Sequence, residues 1–600
     1  MLSDKPIVRN LVEISAAKGI EYVILSPGSR DAPLIISFNE STYFKCLSIP
    51  DERVAGYFAL GIAQQTRKPV IITCTSGTAA LNFAPAIAEA FYQKIPLLIV
   101  TADRPEEWIH QGEGQSINQR NVFANYVKKS YHLPEDGKDA DNRWSANRMI
   151  SEAIDQTFVN GGGPVHINIP FREPLYGQAG YTAQALPKMA STSIIEKKLP
   201  TDSLFELQKN WSSAKKKMIL CGLLPKQETL RQLLNEIAQD TTVIVLAETT
   251  SNLIGPSFIH QIDPILTTIQ EEEIDNFQPE LLITIGGNFI SKKIKQFLRK
   301  NKPAQHWHIE ETDYHIDTFQ SLTKSIPIEA ATFFKQFSPN INDGKSANIA
   351  VDKVSDTSEG VRHFSAPFSS NTDQTATNRD YQDLWKHRKE IINTYHQQFL
   401  KKTIWSDLKA MEKIMAAIPS NSNLQLGNST PVRYAQLFPV DASWQINANR
   451  GVAGIDGSTS TAAGAALANE RLTTIITGDI AFFYDSNAFW HHHLTPNLRV
   501  ILINNGGGNI FRYIPGPPTT NQLDTYFEAQ HQLNAQHIAK TFNLNYYFVA
   551  EEKKLIRVLS KFFQKQAIDR PALLEIKTPN AESATILREY FKKLKNIEYV

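Results

Sequence analysis

Cysteine is scarce: Cys46, Cys74 and Cys221 are the three in 600 positions, far apart and without a C-x-x-C pair. That spacing argues against a disulfide scaffold and against a zinc site, and each lies in an apolar run that marks it as a core residue. An excess of one charge is missing too, with 62 Lys plus Arg against 61 Asp plus Glu. Nothing global draws such a chain to nucleic acid or to an anionic membrane, so any anion site must be local. Long apolar runs are lacking: none approaches the ~18 residues of a membrane span. The opening Met1-Leu2-Ser3-Asp4-Lys5-Pro6 has no basic-then-apolar signal pattern. A soluble, cytoplasmic protein with no membrane span and no nucleic-acid partner is expected. Its length exceeds one core and implies roughly three to four domains.

What is present is alternation. From Glu21 to Pro170 short apolar strands (Tyr22-Leu25, Lys45-Ile49, Val70-Cys74, Leu97-Val100, Val165-Ile169) are separated by helical patterns, which means βαβ units and a parallel sheet. Each of the first four ends in a polar turn: Ser26-Pro27-Gly28-Ser29-Arg30, Pro50-Asp51-Glu52-Arg53, Thr75-Ser76-Gly77-Thr78 and Thr101-Ala102-Asp103-Arg104-Pro105. Four polar turns on one sheet edge suggest a site. Glu52 opens a helix, where a carboxylate is favoured by the helix dipole or, alternatively, serves a ligand.

Residues 200–340 repeat the pattern with strands at Met218-Cys221, Thr242-Val245, Leu281-Ile285 and His306-Ile309. This block has neither G-x-G-x-x-G nor G-x-x-x-x-G-K, so dinucleotide and P-loop binding lack local support. In Gly286-Gly287-Asn288-Phe289-Ile290-Ser291-Lys292-Lys293, backbone N–H groups and Lys292 could meet an anion, or simply start a solvated helix. Residues 338–380, rich in Ser, Thr, Asn and Asp, read as a linker or mobile loop.

A third α/β block follows from Trp405. It carries Gly427-Asn428-Ser429-Thr430-Pro431-Val432-Arg433, then Asn449-Arg450-Gly451-Val452-Ala453-Gly454-Ile455-Asp456-Gly457 ahead of a helix at Thr461-Leu467. The stretch everything turns on comes next: a β-branched run, Gly478-Asp479, a helix expected from Tyr484 to Leu494, and a run ending in Asn504-Asn505-Gly506-Gly507-Gly508. Ligands of open parallel sheets bind outside the carboxyl ends of strands, so Asp479 and Asn505 can converge there. With the Gly507 carbonyl they make a set of hard oxygen donors suited to Mg²⁺ and a diphosphate. His491, His492 and His493 would splay by ~100° each on a helix and could not share a metal; they read as surface or interface residues.

Nine of these motifs, in this order, resemble the thiamine diphosphate-dependent 2-succinyl-5-enolpyruvyl-6-hydroxy-3-cyclohexene-1-carboxylate synthase family of menaquinone biosynthesis. Besides the turns above they include Gly427-Asn428-Ser429, Asn449-Arg450-Gly451, Gly454-Ile455-Asp456-Gly457, Gly478-Asp479 and Asn504-Asn505 with Ile510-Phe511. Most thiamine enzymes have glycine after Gly-Asp; that family, like this chain at Ile480, has an aliphatic residue. The resemblance implies an α/β protein of three doubly wound parallel-sheet domains, pyruvate decarboxylase-like: 1–190 pyrimidine-binding, 200–337 central, 381–600 diphosphate-binding. It implies a homodimer, or a tetramer made of two dimers, with each cofactor between the pyrimidine domain of one subunit and the diphosphate domain of another.

The implied reaction is decarboxylation of 2-oxoglutarate and addition of the remaining four-carbon unit to isochorismate. By resemblance, Glu52 hydrogen-bonds the aminopyrimidine ring and is catalytic. Gly451, Ile455 and Ile510 line the cofactor, Ile455 wedging it into a bent shape. Asp479, Asn505 and Gly507 hold Mg²⁺, with Mn²⁺ an alternative. The two substrates bring four carboxylates to a nearly neutral chain, so positioned cations are required. Ser29, Arg30, Arg104, Gln115, Lys292, Ser429, Arg433 and Arg450 are the substrate-side residues implied, with Phe511 as an apolar wall. Two departures stand out: Gly114 where Asn is common, and Gly506 in place of a third Asn. Another thiamine-dependent 2-oxo acid decarboxylase or an acetolactate-type synthase would need fewer basic residues; an inactive cofactor-binding homologue is disfavoured by Glu52.

Overall fold

Strand order sorts the three six-stranded sheets of this protein into two kinds. The computed structural model describes residues 1–597 other than 136, 138, 181–185, 194, 313, 338–379 and 565–568, so the expected linker lies almost wholly outside the described residues. The first sheet runs, edge to edge, Lys45–Ser48, Tyr22–Ser26, Val70–Cys74, Leu97–Asp103, Val165–Pro170, Ser130–His132, every neighbour parallel. The third runs Gln445–Ala448, Asn423–Leu426, Thr473–Gly478, Leu498–Asn504, Ala572–Lys577, Asn545–Val549, again all parallel. Counted in chain order within each sheet, both read 2-1-3-4-6-5. The central sheet differs: Phe258–Ile259, Val243–Ala247, Lys217–Cys221, Leu281–Ile285, Gln305–Ile309, Lys324–Ile326, or 3-2-1-4-5-6. The expected class, three doubly wound parallel-sheet units, is what the chain forms.

Inner strands such as Val70–Cys74 and Leu281–Ile285 are buried at every position, because helices cover both faces of a parallel sheet. Their largely apolar runs, each interrupted by a single threonine, made them readable. Ser130–His132 and Lys324–Ile326 were not readable: both are three-residue edge strands with no apolar run to betray them.

The two outer units share one core. Helix Glu52–Thr66 crosses helix Ser458–Leu467 with their backbones almost touching. A Cβ on Gly61 would come 2.0 Å from the Thr461 carbonyl oxygen, and one on Gly464 would come 1.9 Å from that of Phe58. Only glycine admits that approach. Phe58, Leu60, Ile62, Ala462, Ala463 and Ala466 lie in a single cluster with strand residues of both sheets. The central unit is strapped on by helix Tyr381–Lys402. Its Trp385 ring meets Phe277 edge-on at 5.1 Å, its Gln382 Nε2 donates to the carbonyls of Ala238 and Val243 at 2.8 Å each, and its Tyr395 hydroxyl donates to Tyr590 O at 2.9 Å. Among the described residues no helix is long and apolar enough to cross a membrane.

One expected element is displaced. The helix after Gly478 is not Tyr484–Leu494 but Asp479–Tyr484, followed by a 3₁₀ turn at Ser486–Phe489. Gly478 is still extended, so the helix starts directly on the strand end with Asp479 at its first position. It stops at Tyr484, whose carbonyl accepts Arg53 Nη2 at 3.0 Å, while the next side chain, Asp485, turns in to accept the Ser460 N–H and hydroxyl at 2.8 and 2.7 Å. The histidines therefore lie past the helical part and are not splayed around a helix. His491 and His493 stack with ring centroids 5.9 Å apart, and His491 meets Phe58 edge-on at 4.9 Å.

Candidate active site in two halves

The carboxyl ends of the first sheet hold one half. Arg30 is almost buried; its Nη1 donates to Phe171 O at 3.0 Å and its Nη2 faces Glu173 at 3.5 Å. Arg104 donates from Nε and Nη2 to the Gly114 carbonyl at 3.1 and 2.6 Å. Burial, then the neighbouring Arg104 charge, lower the pKa of Arg30: two guanidinium groups in reach of one another are a receptor for anions. Gly114, the first departure, has open space where a side chain would stand and serves Arg104 through its backbone. Ser29 and Gln115 are exposed on the same edge; the Gln115 carbonyl accepts the Ser76 hydroxyl at 2.8 Å.

Glu52 stands beside them at the start of its helix. Asp51 takes the capping role, accepting the Val54 N–H at 3.2 Å, which leaves the Glu52 carboxyl free of that duty. It accepts Asn82 Nδ2 at 3.4 Å, and burial, with the Asp51 charge behind it, raises its pKa. Asp31, wholly buried, accepts the Gly28 N–H at 2.9 Å through Oδ1, leaves Oδ2 without a partner, and is pushed by burial to about 7.

The carboxyl ends of the third sheet hold the other half. Arg433 Nη1 donates to Ser429 O at 2.5 Å, and Arg450 Nη1 to Asn428 Oδ1 at 3.0 Å, while Arg450 Nε has no partner. Burial lowers the pKa of both arginines, and Arg433 further lowers that of Arg450. Arg433 lines a cleft with Asp263, Ile510, Tyr513 and Phe591. Phe511 sits beside Ile510, its ring 5.8 Å from that of Phe527. Ile455 and Val452 are exposed apolar side chains on the glycine-rich loop. Gly451 donates to Glu89 Oε1 at 2.6 Å and Val452 to Glu89 Oε2 at 2.8 Å, so the loop is moored to the first unit.

Asp479 and Asn505 do converge. Asp479 Oδ2 accepts the N–H groups of Gly506 and Gly507 at 2.7 and 3.0 Å, and its Oδ1 that of Ile480 at 2.7 Å. Asn505 donates from Nδ2 to Asp407 at 2.9 Å, and its Oδ1 is buried with no partner. An orphaned buried amide oxygen beside a carboxylate is costly unless something cationic meets it, and such hard oxygens fit Mg²⁺. Among the described residues no group of three or more His, Cys, Asp or Glu could hold a metal instead. Gly506, the second departure, has φ +86°, a region glycine and asparagine both enter, so the exchange keeps the turn.

Elsewhere the structure redirects expectation. The N–H groups of Ile290 and Ser291 do not await an external anion: the buried Glu248 carboxylate accepts both at 2.8 Å. Lys292 is exposed at the first position of helix Lys292–Lys300. Lys293 and Lys295 are half-buried; the pKa of Lys295 is lowered by burial and by Arg450 and Arg433 after the opposing pull of Glu248. Glu89, Glu248, Lys295, Asp407 and His531, 3.5 Å from Asp479, escaped the sequence reading. Glu89 alone left a signal, as the one acid in the alanine-rich Ala84–Gln93.

Among the described residues no hydrogen bond or ion pair joins Arg30, Glu52 or Arg104 to Arg433, Arg450, Asp479 or Asn505. Comparison with known proteins gives the halves a common setting. Residues 7–122 match the thiamine pyrophosphate enzyme N-terminal TPP binding domain, 191–349 the middle domain of thiamine pyrophosphate enzymes, and 427–576 the C-terminal TPP binding domain. The 2-succinyl-5-enolpyruvyl-6-hydroxy-3-cyclohexene-1-carboxylate synthase of Flavobacterium psychrophilum is 42% identical over 592 residues, 98% of this chain and 99% of its own. Those of Porphyromonas gingivalis and Bacteroides thetaiotaomicron are 38% and 34% identical, covering 100% and 99% of this chain and 98% and 100% of theirs. Two TPP binding domains that each carry half of a candidate site, on a chain this similar from end to end, place it among the thiamine pyrophosphate-dependent enzymes, in the 2-succinyl-5-enolpyruvyl-6-hydroxy-3-cyclohexene-1-carboxylate synthase family.

Proposed function

We propose that the chain is a thiamine diphosphate- and Mg²⁺-dependent carboligase, also served by Mn²⁺, that decarboxylates 2-oxoglutarate and joins the four-carbon unit to isochorismate. It works in menaquinone biosynthesis, in the cytoplasm, as a homodimer or a tetramer of two dimers. The observation that carries the reading is the split site: the acid sits on one sheet edge, the cation donors on another, and among the described residues no hydrogen bond or ion pair joins Glu52 to Asp479 or Asn505. A second subunit would bring the first unit of one chain against the third unit of its neighbour.

When bound, thiamine diphosphate supplies a carbanion at its thiazolium ring and an electron sink for decarboxylation. Glu52, its carboxyl pKa raised by burial, shares a proton with the aminopyrimidine ring nitrogen. Asp479, Asn505 and the Gly507 carbonyl hold the cation of the diphosphate; Gly451, Ile455 and Ile510 line the cofactor. Ser429, Arg433 and Arg450 take the 2-oxoglutarate carboxylates. Ser29, Arg30, Arg104, Gln115 and Lys292 serve the remaining ones, and Phe511 closes the apolar side. Partly dehydrated arginines gain most from such partners, since burial leaves their charge poorly solvated.

The test is turnover with purified protein, Mg²⁺ and thiamine diphosphate, given 2-oxoglutarate with and without isochorismate. Release of CO₂ and a new adduct in mass spectra, dependent on both substrates, is the expected result. A preference for pyruvate as donor would reject this assignment.

A further inference from the structure

Asp407 lies 98 positions before Asn505 and carries none of the motifs, yet it is buried against the amide. Its Oδ2 accepts Asn505 Nδ2 at 2.9 Å, its Oδ1 accepts the Thr578 hydroxyl at 2.6 Å, and its own N–H donates to Ser583 Oγ at 3.0 Å. Three segments are thereby clamped: the start of helix Asp407–Ala417, the end of strand Leu498–Asn504 and the end of strand Ala572–Lys577. Trp405 adds a further tie, donating from Nε1 to Lys577 O at 3.0 Å.

The consequence concerns which end of the amide faces where. Both carboxylate oxygens of Asp407 are acceptors in these bonds, so the Asn505 NH₂ must point at Asp407. Its oxygen is then turned the other way, and it is that oxygen which is buried without a partner next to Asp479. Were the amide to rotate by half a turn, its oxygen would face the Asp407 carboxylate, a repulsive contact, and its NH₂, which has no lone pair to give a cation, would take the place of the oxygen beside Asp479.

We propose that Asp407 is a positioning residue that locks the Asn505 carboxamide with its oxygen toward the divalent cation. The inference rests on the metal site proposed above. Groups that orient a ligand in this way typically govern 10- to 100-fold of metal affinity, and this one does so without touching the cation or the cofactor.

The measurement is calorimetric titration of the full-length protein with thiamine diphosphate at a series of Mg²⁺ concentrations, without substrate. Asp407→Ala is expected to raise the half-saturating Mg²⁺ about 10- to 100-fold. Asp407→Asn should recover most of that, because its oxygen still accepts from Asn505 while the Thr578 hydroxyl turns to accept from its NH₂. Asp407→Leu, which fills the site without an acceptor, replaces the alanine variant if that chain is unstable. In an Asn505→Ala background the Asp407 substitutions should add no further loss of Mg²⁺ affinity, an outcome a merely structural role does not produce. An unchanged Mg²⁺ midpoint in Asp407→Ala or Asp407→Leu, or an equal added loss in the Asn505→Ala background, overturns the proposal. Cofactor binding by the unaltered protein that ignores Mg²⁺ and Mn²⁺ would instead overturn the metal site itself.

Discussion

The carboxylate of Glu89 and the N–H of Gly451 are 362 positions apart in sequence and 2.6 Å apart in space. One acid on the first unit thus holds the glycine-rich loop of the third, because a Cβ on Gly451 would stand 2.6 Å from the Glu89 carbonyl oxygen. Glu89→Ala leaves two N–H groups unpaired and removes charge-assisted bonds worth about 1.5–3 kcal/mol each. A lower thermal midpoint together with weaker thiamine diphosphate affinity is expected, seen by scanning calorimetry and titration. Wild-type values for both would detach this contact from the loop.

Glu52→Gln keeps the shape of the side chain and loses its ability to share a proton. Turnover should fall by about 10²–10⁴-fold, the usual span for a general acid or base, while thiamine diphosphate affinity stays within a few-fold of normal. Steady-state kinetics and titration separate the two quantities. Near-normal turnover would remove Glu52 from the chemistry.

If the halves come from different subunits, two inactive variants can repair one another. Glu52→Gln and Asp479→Ala, each inactive alone, should regain about a quarter of wild-type activity after unfolding and refolding as a mixture. Half the dimers would then be mixed, each with one intact site of two. Absence of any recovery, with mixed dimers demonstrated by mass spectrometry, would place each site within a single chain.

Among the described residues the Arg433 guanidinium makes one hydrogen bond, to Ser429 O. Its removal should weaken 2-oxoglutarate binding by ~1.5–3 kcal/mol, the range for a charge-assisted hydrogen bond. The Michaelis constant for 2-oxoglutarate reports this directly. If it does not change in Arg433→Ala, that arginine serves no substrate carboxylate.

Asp31 gives the protein a pH dependence of known sign. Its carboxyl is raised by burial from an ordinary 3.8 to about 7, with the Gly28 N–H pulling down and the Glu52 charge pushing up. The neutral acid is thus the form that folding favours, and its contribution is complete below about pH 4 and is lost as pH rises through about 7. Asp31→Asn, which needs no charge, should become progressively more stable than the wild type between pH 4 and 8. A thermal-midpoint difference that stays flat over that range would show that Asp31 does not titrate there.

Much of the candidate site was legible because its pattern is local. Gly478-Asp479 and Asn504-Asn505 each stand where an apolar run stops, and parallel-sheet geometry says that such ends share a face. The helix after Gly478 was misplaced because its end is set by Arg53 and Ser460, contacts 431 and 25 positions away, which no periodicity records. The loop at 286–293 read as an anion receptor or a solvated helix start because its N–H groups and lysines are adjacent in sequence, and the carboxylate that occupies it comes from Glu248.

By itself, then, the order of residues determined the three α/β units, the polar strand ends and the convergence of Asp479 and Asn505. Those depend on runs of a few residues and on the single rule that successive parallel strands point the same way. Only the folded chain decided which amide oxygen is left bare, which carboxylate fills the N–H groups before helix Lys292–Lys300, and how Glu89 moors the glycine loop. Each of these is settled by a partner supplied from a distant stretch, and burial, by removing water as an alternative partner, makes that choice binding.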